Sequence, residues 1–274
     1  MTTTLRPTGP LERAADGALS RHYQVCVNSR PVGVADLSTD RRFGPTVARI
    51  DHLGIDEPDR RRGRGTVAAL AAEEIVRGWG CTRIEVTVPA GAGAALGLAG
   101  ALGYVERNRA MRKRVGPSAP TLPDGVRARP MTGAEFAVWE ERSKEEYARD
   151  WITRGVPEAE ARAKTERDHA TELPRGADTP GMVFSVLEQD GETVGILWVA
   201  VRADDAYVYD VEVAEQHRGK GHGRSLMLLA ERHALTAGRT VLGLNVFAGN
   251  TPARTLYDSL GYETERISLY KALL

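Results

Sequence analysis

The chain has 274 residues, 42% of them hydrophobic and 27% charged, a globular composition long enough for two domains. Its 37 basic and 37 acidic residues cancel, so net charge gives no argument for a nucleic-acid partner. The two cysteines, Cys26 and Cys81, and the six histidines show no HExxH or paired-cysteine spacing, so neither a disulfide framework nor a metal is expected.

The opening Met1-Thr-Thr-Thr-Leu-Arg-Pro lacks the apolar core of a signal peptide, and no apolar run approaches the ~18 residues of a membrane helix. The expectation is a soluble, cytoplasmic protein with no membrane partner. Strand-like segments lie at Tyr23–Val27, Val32–Leu37 and Val47–Ile55. Arg60-Arg-Arg-Gly63-Arg-Gly65 then precedes an alanine-rich helical stretch, Thr66–Arg77, which stops near Gly78 and Gly80. A β-branched run, Arg83–Val88, leads into a second helical segment ending Leu102-Gly103-Tyr104. That segment is rich in glycine, each of which weakens a helix by up to ~1 kcal/mol relative to alanine. Val115–Gly125 holds three prolines and two glycines and reads as a linker. The division is therefore 1–115, a linker at 116–125, and 126–274. Residues 1–115 carry 18 basic and 12 acidic residues, so the remainder has six more acidic than basic. An acidic second half favours a cationic substrate, and opposite signs favour attraction between halves; two solvated surfaces are the plain alternative.

In the second half, Thr132–Leu173 reads as two helices, the first opened by a Thr132/Glu135 capping box and the second by Pro157 and Glu158. Strands follow at Val183–Leu187 and Thr193–Val201, joined by the hairpin signal Asp190-Gly191, and then at Ala206–Val213. Gln216-His-Arg-Gly219-Lys-Gly221 precedes a helical stretch, Arg224–Thr236, which stops at Gly238. Next come a strand, Thr240–Val246, and a helix with Thr251 as N-cap and Pro252 first inside it, ending Leu260-Gly261-Tyr262. Loop, helix, strand, helix and Leu-Gly-Tyr recur in order, with the second loop glycines 38 and 40 residues before the Leu-Gly-Tyr glycines. The chain is a tandem duplication, and strands followed by strand–helix units imply a mixed α/β sheet in each half. Between its opening strand and the next, the first half has only Leu11–Leu19, too short for two helices.

A strand entering a glycine-rich turn and then a helix makes an anion site, because backbone N–H groups and the helix N-terminus converge there. Arg218, Lys220 and Arg224 add positive charge suited to a pyrophosphate. The loop fits neither GxGxxG nor GxxxxGK[ST]. The pattern Gln/Arg-x-x-Gly-x-Gly/Ala resembles the acyl-CoA signature of the GNAT N-acetyltransferase superfamily. Asn250-Thr-Pro-Ala253-Arg-Thr-Leu256-Tyr257-Asp-Ser-Leu-Gly261-Tyr262 resembles that family's Asn-x-x-Ala-x-x-Leu-Tyr-x-x-x-Gly-Phe/Tyr. With the opening Val126–Phe136, the resemblance spans essentially all of residues 125–274.

The resemblance implies two tandem GNAT-like acyl-CoA N-acyltransferase domains, the first truncated and degenerate. It implies acetyl-CoA as co-substrate and no metal. The strand backbone at Val211 and Val213, the loop Gln216, His217, Arg218, Gly219, Lys220, Gly221, His222, Gly223, Arg224 and Ser225, and Asn250, Ala253 and Tyr257 are its implied contacts. The Val213 amide would bind the thioester carbonyl, and Asn250 would fix its turn or contact CoA. Tyr257 stands where the family places the acid that protonates the departing thiolate, a fitting role for a phenol of pKa ~10. Many members carry a glutamate base where this chain has Tyr207. Asp210 and Glu212 share one strand face and are the candidate bases, Glu212 ahead of Asp210. Aligning Gly103 with Gly261 puts Ala99 at Tyr257 and Ala92 at Asn250, so the first half lacks the phenol. The expected function is direct acetyl transfer from CoA, in the second half, to a primary amine. A small molecule is preferred as acceptor over a peptide or protein amine. The alternatives are a non-catalytic acyl-CoA sensor or scaffold, and a mycothiol-synthase-like tandem enzyme. Oligomeric state is left open.

Overall fold

The structure, a computed structural model, describes residues 3–40, 44, 46–153 and 155–273. The chain forms two compact units. One holds the described residues up to Asn108 together with those from Arg266 onward, and the other holds Arg109–Glu265. The units thus divide inside two strands rather than at residues 116–125.

The first unit contains β1 (Thr3–Pro7), β2 (Glu12–Arg13), β3 (Leu19–Val27), β4 (Arg30–Thr39), β5 (Val47–Ile55), α1 (Arg64–Gly78), β6 (Arg83–Pro89) and α2 (Gly93–Ala101). The second contains most of β7 (Val105–Arg114), then β8 (Val126–Pro130), α3 (Gly133–Thr153), α4 (Glu158–Glu172), β9 (Met182–Gln189), β10 (Glu192–Val201), β11 (Ala206–Val213), α5 (His222–Thr236), β12 (Val241–Phe247) and α6 (Thr251–Ser259). β13 (Glu263–Ala272) closes the first unit, its Arg266–Ala272 pairing antiparallel with β6. Strand order is β1-β3-β4-β5-β6-β13 in the first unit and β7-β12-β11-β10-β9-β8 in the second.

From β5 onward the two units match at a constant offset of 158 residues (for example 222 less 64), with α1 and α5 both 15 residues long and α2 and α6 both nine. The offset also pairs β7 with β13 and explains a repeated ion pair. Glu73 and Glu231 are buried, and a buried carboxylate needs a cation close by. Lys271 lies 2.7 Å from Glu73, and Lys113 lies 2.7 Å from Glu231. The short helix α2 forms despite Gly93, Gly97 and Gly100, because Ala99 and Leu96 pack into the first unit's core and tertiary contact overrides propensity.

The units differ on the sheet face that α3 and α4 cover. In the second, a cross-strand row runs Phe184–Trp198–Asp210, and the aromatic rings pack with Phe136, Trp139 and Leu173 from the helical layer. In the first, the matching row is His22–Asp36–His52, with His22 Nδ1 2.7 Å from Asp36. A polar row offers helices nothing to bury against, so the missing helix pair is written into the strands as well as into the length of Leu11–Leu19. Asp190 and Gly191 both have positive φ, 53° and 85°, as the β9–β10 hairpin turn requires.

Candidate active site

β11 and β12 run parallel but pair only at Ala206–Leu242, Tyr207–Gly243 and Val208–Leu244. A bulge opposite Trp198/Val199 leaves Tyr209 as the extra residue, and beyond it β11 stays with β10 while leaving β12. An extra residue bends a strand, which is how the cleft opens here. The first unit repeats the device, with its bulge at Asp51, 158 residues earlier. Ala214 N donates to Val194 O, so by alternation the amides of Glu212 and Asp210 serve β10 while those of Val213 and Val211 face the cleft. Val211 N–H also reaches the Asp210 carboxylate.

The glycine loop follows at the end of β11. Gly219 and Gly221 have φ of 76° and 90°, a left-handed conformation, and Gly221 is the N-cap of α5. α5 begins at His222, two residues before the helical stretch read from sequence, which puts His222, Gly223 and Arg224 in its first turn. Gly223 lies tight against α6, since a β-carbon there would stand 3.1 Å from Leu256 Cδ2. Arg218 Nε donates to Val213 O at 3.2 Å, as Arg60 Nε does to Ile55 O at 2.7 Å. This fixes the repeat register: Arg60 matches Arg218, and Gly63 matches Gly221, both 40 residues before their Leu-Gly-Tyr glycines. The pairing of Gly63 with Gly219 expected from sequence is two residues off, because the second loop offers two overlapping glycine patterns, one from Gln216 and one from Arg218. Lys220 and Gln216 are exposed, and His217 and His222 are buried beneath the loop with ring centroids 6.0 Å apart. Burial, then the charges of His217 and Lys220, lower the His222 pKa. Arg224 donates to Ser259 Oγ at 2.7 Å and ties α5 to α6. Ser225 is buried in the same turn. Arg64 of the first unit matches His222 but is buried in an ion pair with Asp59, which Arg30 also holds at 2.9 Å.

Asn250 is the N-cap of α6, its Oδ1 accepting from Ala253 N at 3.1 Å, so Thr251 and Pro252 are the first two helical residues and Thr251 is not the cap. In the first unit Ala92 has the same backbone conformation but no side-chain cap. We expect Asn250→Ala to lower stability by about 1 kcal/mol in urea unfolding, the usual worth of such a cap. A loss below about 0.3 kcal/mol would assign the helix start to Pro252 alone.

α6 presents Tyr257 to the cleft side of the core, 8% exposed, with its ring 5.9 Å from that of Tyr262. Burial, then the charge of Asp210, pushes the Tyr257 phenol up to about 12. The two β11 carboxylates face α3. Trp139 Nε1 donates to Asp210 Oδ2 at 3.0 Å, and Arg142 is ion-paired with Glu212. Burial raises both carboxyls above their ordinary range. Glu146 adds to the rise, Trp139 and Arg142 oppose it at Asp210, and Arg142 opposes it at Glu212. Tyr207 packs over Gly243, with a β-carbon there only 3.1 Å from its ring, and Arg202 lies 4.3 Å above it. Trp139, Arg142 and Glu146 are the site residues that sequence reasoning missed. Their i, i+3, i+7 spacing marks one helix face, the only signal that could have found them. Among the described residues no group of three or more His, Cys, Asp or Glu side chains is placed to hold a metal, and no helix is long and apolar enough to cross a membrane.

Two stretches, residues 4–104 and 139–262, match the acetyltransferase (GNAT) family. A mycothiol acetyltransferase of Streptomyces griseus subsp. griseus is 30% identical over 261 residues, which cover 91% of this chain and 78% of that protein. Among solved structures, a GCN5-related N-acetyltransferase from Sphaerobacter thermophilus superposes with a TM-score of 0.60 at 20% identity, covering 92% of this chain and 80% of the other. A tandem GNAT protein from the clavulanic acid biosynthesis pathway gives a TM-score of 0.52 at 19% identity over 96% and 85% of the two chains. These two structures bear on the fold alone.

Proposed function

The chain belongs to the acetyltransferase (GNAT) family and is an N-acetyltransferase, and from that premise we propose that its second unit alone transfers acetyl groups, to a cationic primary amine of a small molecule. The observation that carries the reading is the cluster of Asp210, Glu212 and Glu146 beside Tyr257, where β11 and β12 part. Acetyl-CoA supplies the activated acetyl thioester. The chain has the parts to hold it: two left-handed glycines and a helix N-terminus for the pyrophosphate, and cleft-facing amides at Val211 and Val213 for the carbonyl and arm.

An ammonium ion must lose a proton before its nitrogen can attack. Asp210 ranks ahead of Glu212 for this task, reversing the order read from sequence. It acts electrostatically on Tyr257, while Glu212 is ion-paired with Arg142, which stabilises its charged form. Glu212 and Glu146 then attract the cation. The ammonium proton that Asp210 takes leaves to solvent before attack. As the carbon–nitrogen bond forms and the carbon–sulfur bond breaks, the second amine proton passes to Asp210 and the Tyr257 proton to sulfur. Return of the Asp210 proton to the Tyr257 phenolate restores both groups.

Asp210→Asn is expected to lower kcat by about 10²-fold and to remove the acid limb of the pH profile. In the unmodified protein that limb should lie above the ordinary carboxylate range, since burial raises the Asp210 pKa. An unchanged limb in the variant would remove Asp210 as the base. Thiol release with a panel of amines tests the acceptor class: turnover with small cationic amines supports it, and turnover with peptide amines alone contradicts it. The similarity to a mycothiol acetyltransferase over 91% of this chain favours a second reading, in which the acceptor is the amine whose acetylation gives mycothiol, and the same panel should contain it.

A further inference from the structure

α3 brings Trp139 against the sheet at Asp210. The side chain is 1% exposed, and its ring packs with three others. Phe136 of its own helix, Phe184 of β9 and Trp198 of β10 lie with ring centroids 5.5, 5.1 and 5.4 Å away. Trp198 is also the cross-strand neighbour of Asp210, so the rings that hold the indole adjoin the strand that carries the carboxylate. Close packing of this kind fixes both the position of Nε1 and its direction. An indole N–H can only donate, and the group it meets is Asp210 Oδ2 at 3.0 Å.

Packing alone does not need the nitrogen. A phenyl ring would also fill an aromatic cage, and a buried N–H costs free energy unless it has a partner. The first unit supplies a contrast. His52 stands at the position of Asp210, 158 residues earlier, and among the described residues of that unit no counterpart of α3 is present. Carboxylate and indole meet in the unit that carries Tyr257.

We propose that Trp139 is a positioning residue for acetyl transfer: its N–H sets the orientation of the Asp210 carboxylate beside the incoming amine and stabilises the charged, proton-accepting form. The role rests on Asp210 acting as the base. A hydrogen bond to one carboxylate oxygen is stronger when the group is ionised, and it restrains rotation about the Cβ–Cγ bond. A carboxyl taken from water tends to keep its proton, and then cannot accept another. Removal from water does raise Asp210, and the Trp139 hydrogen bond is the largest influence opposing that rise. The other charged or titratable groups facing Asp210 are Arg142 and Glu146 on α3, Glu212 on β11 and Tyr257 on α6. Arg142 is the cation among them, and it is ion-paired with Glu212. The indole thus favours an ionised Asp210 without adding a positive charge that would repel an ammonium ion.

The pH dependence of kcat/KM in Trp139→Phe, with acetyl-CoA and a responsive amine, tests this. The acid limb should move up by at least about one pH unit, the size expected when a hydrogen bond to a charged group is lost. Phe136→Leu loosens the same aromatic cage without removing a donor and should leave the limb where it is. Indole N–H resonances of the unmodified protein give a second measurement that needs no folded Trp139 variant. One of the four tryptophans should shift with pH at the midpoint of the limb, and that shift should vanish in Asp210→Asn. A limb unmoved in folded Trp139→Phe, an equal move in Phe136→Leu, or no indole signal that follows the limb overturns the role of Trp139. If Asp210→Asn has meanwhile lost the limb, Asp210 still stands as the base. A limb that survives Asp210→Asn removes the base itself, and the positioning role with it.

Discussion

Replacing Tyr257 with phenylalanine should slow acetyl transfer by about 10³-fold while leaving acetyl-CoA affinity nearly intact. The substitution removes one oxygen and keeps a ring that packs in the core with Leu256, Leu260 and Tyr262, so the fold has no reason to change. What is lost is a proton source. Pushed up to about 12, the phenol stays protonated throughout the working range. A raised pKa also makes it a weaker acid, and against a free thiol of pKa ~8.5 the transfer would be uphill by several kcal/mol. Two features reduce that difference. The burial that raises Tyr257 raises the basicity of a thiolate forming beside it. Asp210 contributes to the rise only while charged, so the proton it takes from the amine makes Tyr257 a stronger acid at the moment of departure. Single-turnover measurement of thiol release checks this; an unchanged rate would remove Tyr257 as the acid.

Most of the architecture was legible from residues alone. The duplication showed in two Leu-Gly-Tyr signatures and two glycine loops, and the helix pair at residues 132–173 showed in its capping signals. Thr132 and Glu135 do form the reciprocal cap, at 2.8 Å and 3.3 Å. Three things were hidden, each for a physical reason. The loop register could not be chosen because glycines alternate through Gly219, Gly221 and Gly223, and only the Arg218–Val213 contact decides between overlapping patterns. The bulge at Tyr209 has no residue signature, since it depends on pairing with β10. The placement of β13 in the first unit rests on its pairing with β6 and is accompanied by Lys271 reaching Glu73, a contact across 198 positions that no local pattern encodes. At the candidate site, Asp210 and Glu212 could be placed on one strand face. That Trp139 and Arg142 from α3 would meet them required the packing of the aromatic row.

The same reasoning separates the two glycine loops. Gly63 and Gly221 are equivalent N-caps with φ of 74° and 90°, and nothing lies within 4 Å of a β-carbon built at either. A β-carbon therefore meets no clash at either position, and the shared cost of valine is the strain of a left-handed backbone, on the order of 1–3 kcal/mol. The surroundings differ. The loop at Gly221 opens on a cleft carrying Asn250, Tyr257 and Asp210. Ala92, Ala99 and His52 stand at the matching positions behind Gly63, and among the described residues of the first unit no counterpart of α3 and α4 is present. The most direct test of a single catalytic site is thus the rate of acetyl-CoA-dependent thiol release by Gly63→Val and Gly221→Val, measured side by side on folded protein with a responsive amine. We predict that Gly221→Val loses about 10³-fold or more in kcat/KM, as the pyrophosphate amides lose their alignment, while Gly63→Val keeps the unmodified rate. Equal losses, or a loss confined to Gly63→Val, would contradict the assignment of catalysis to the second unit.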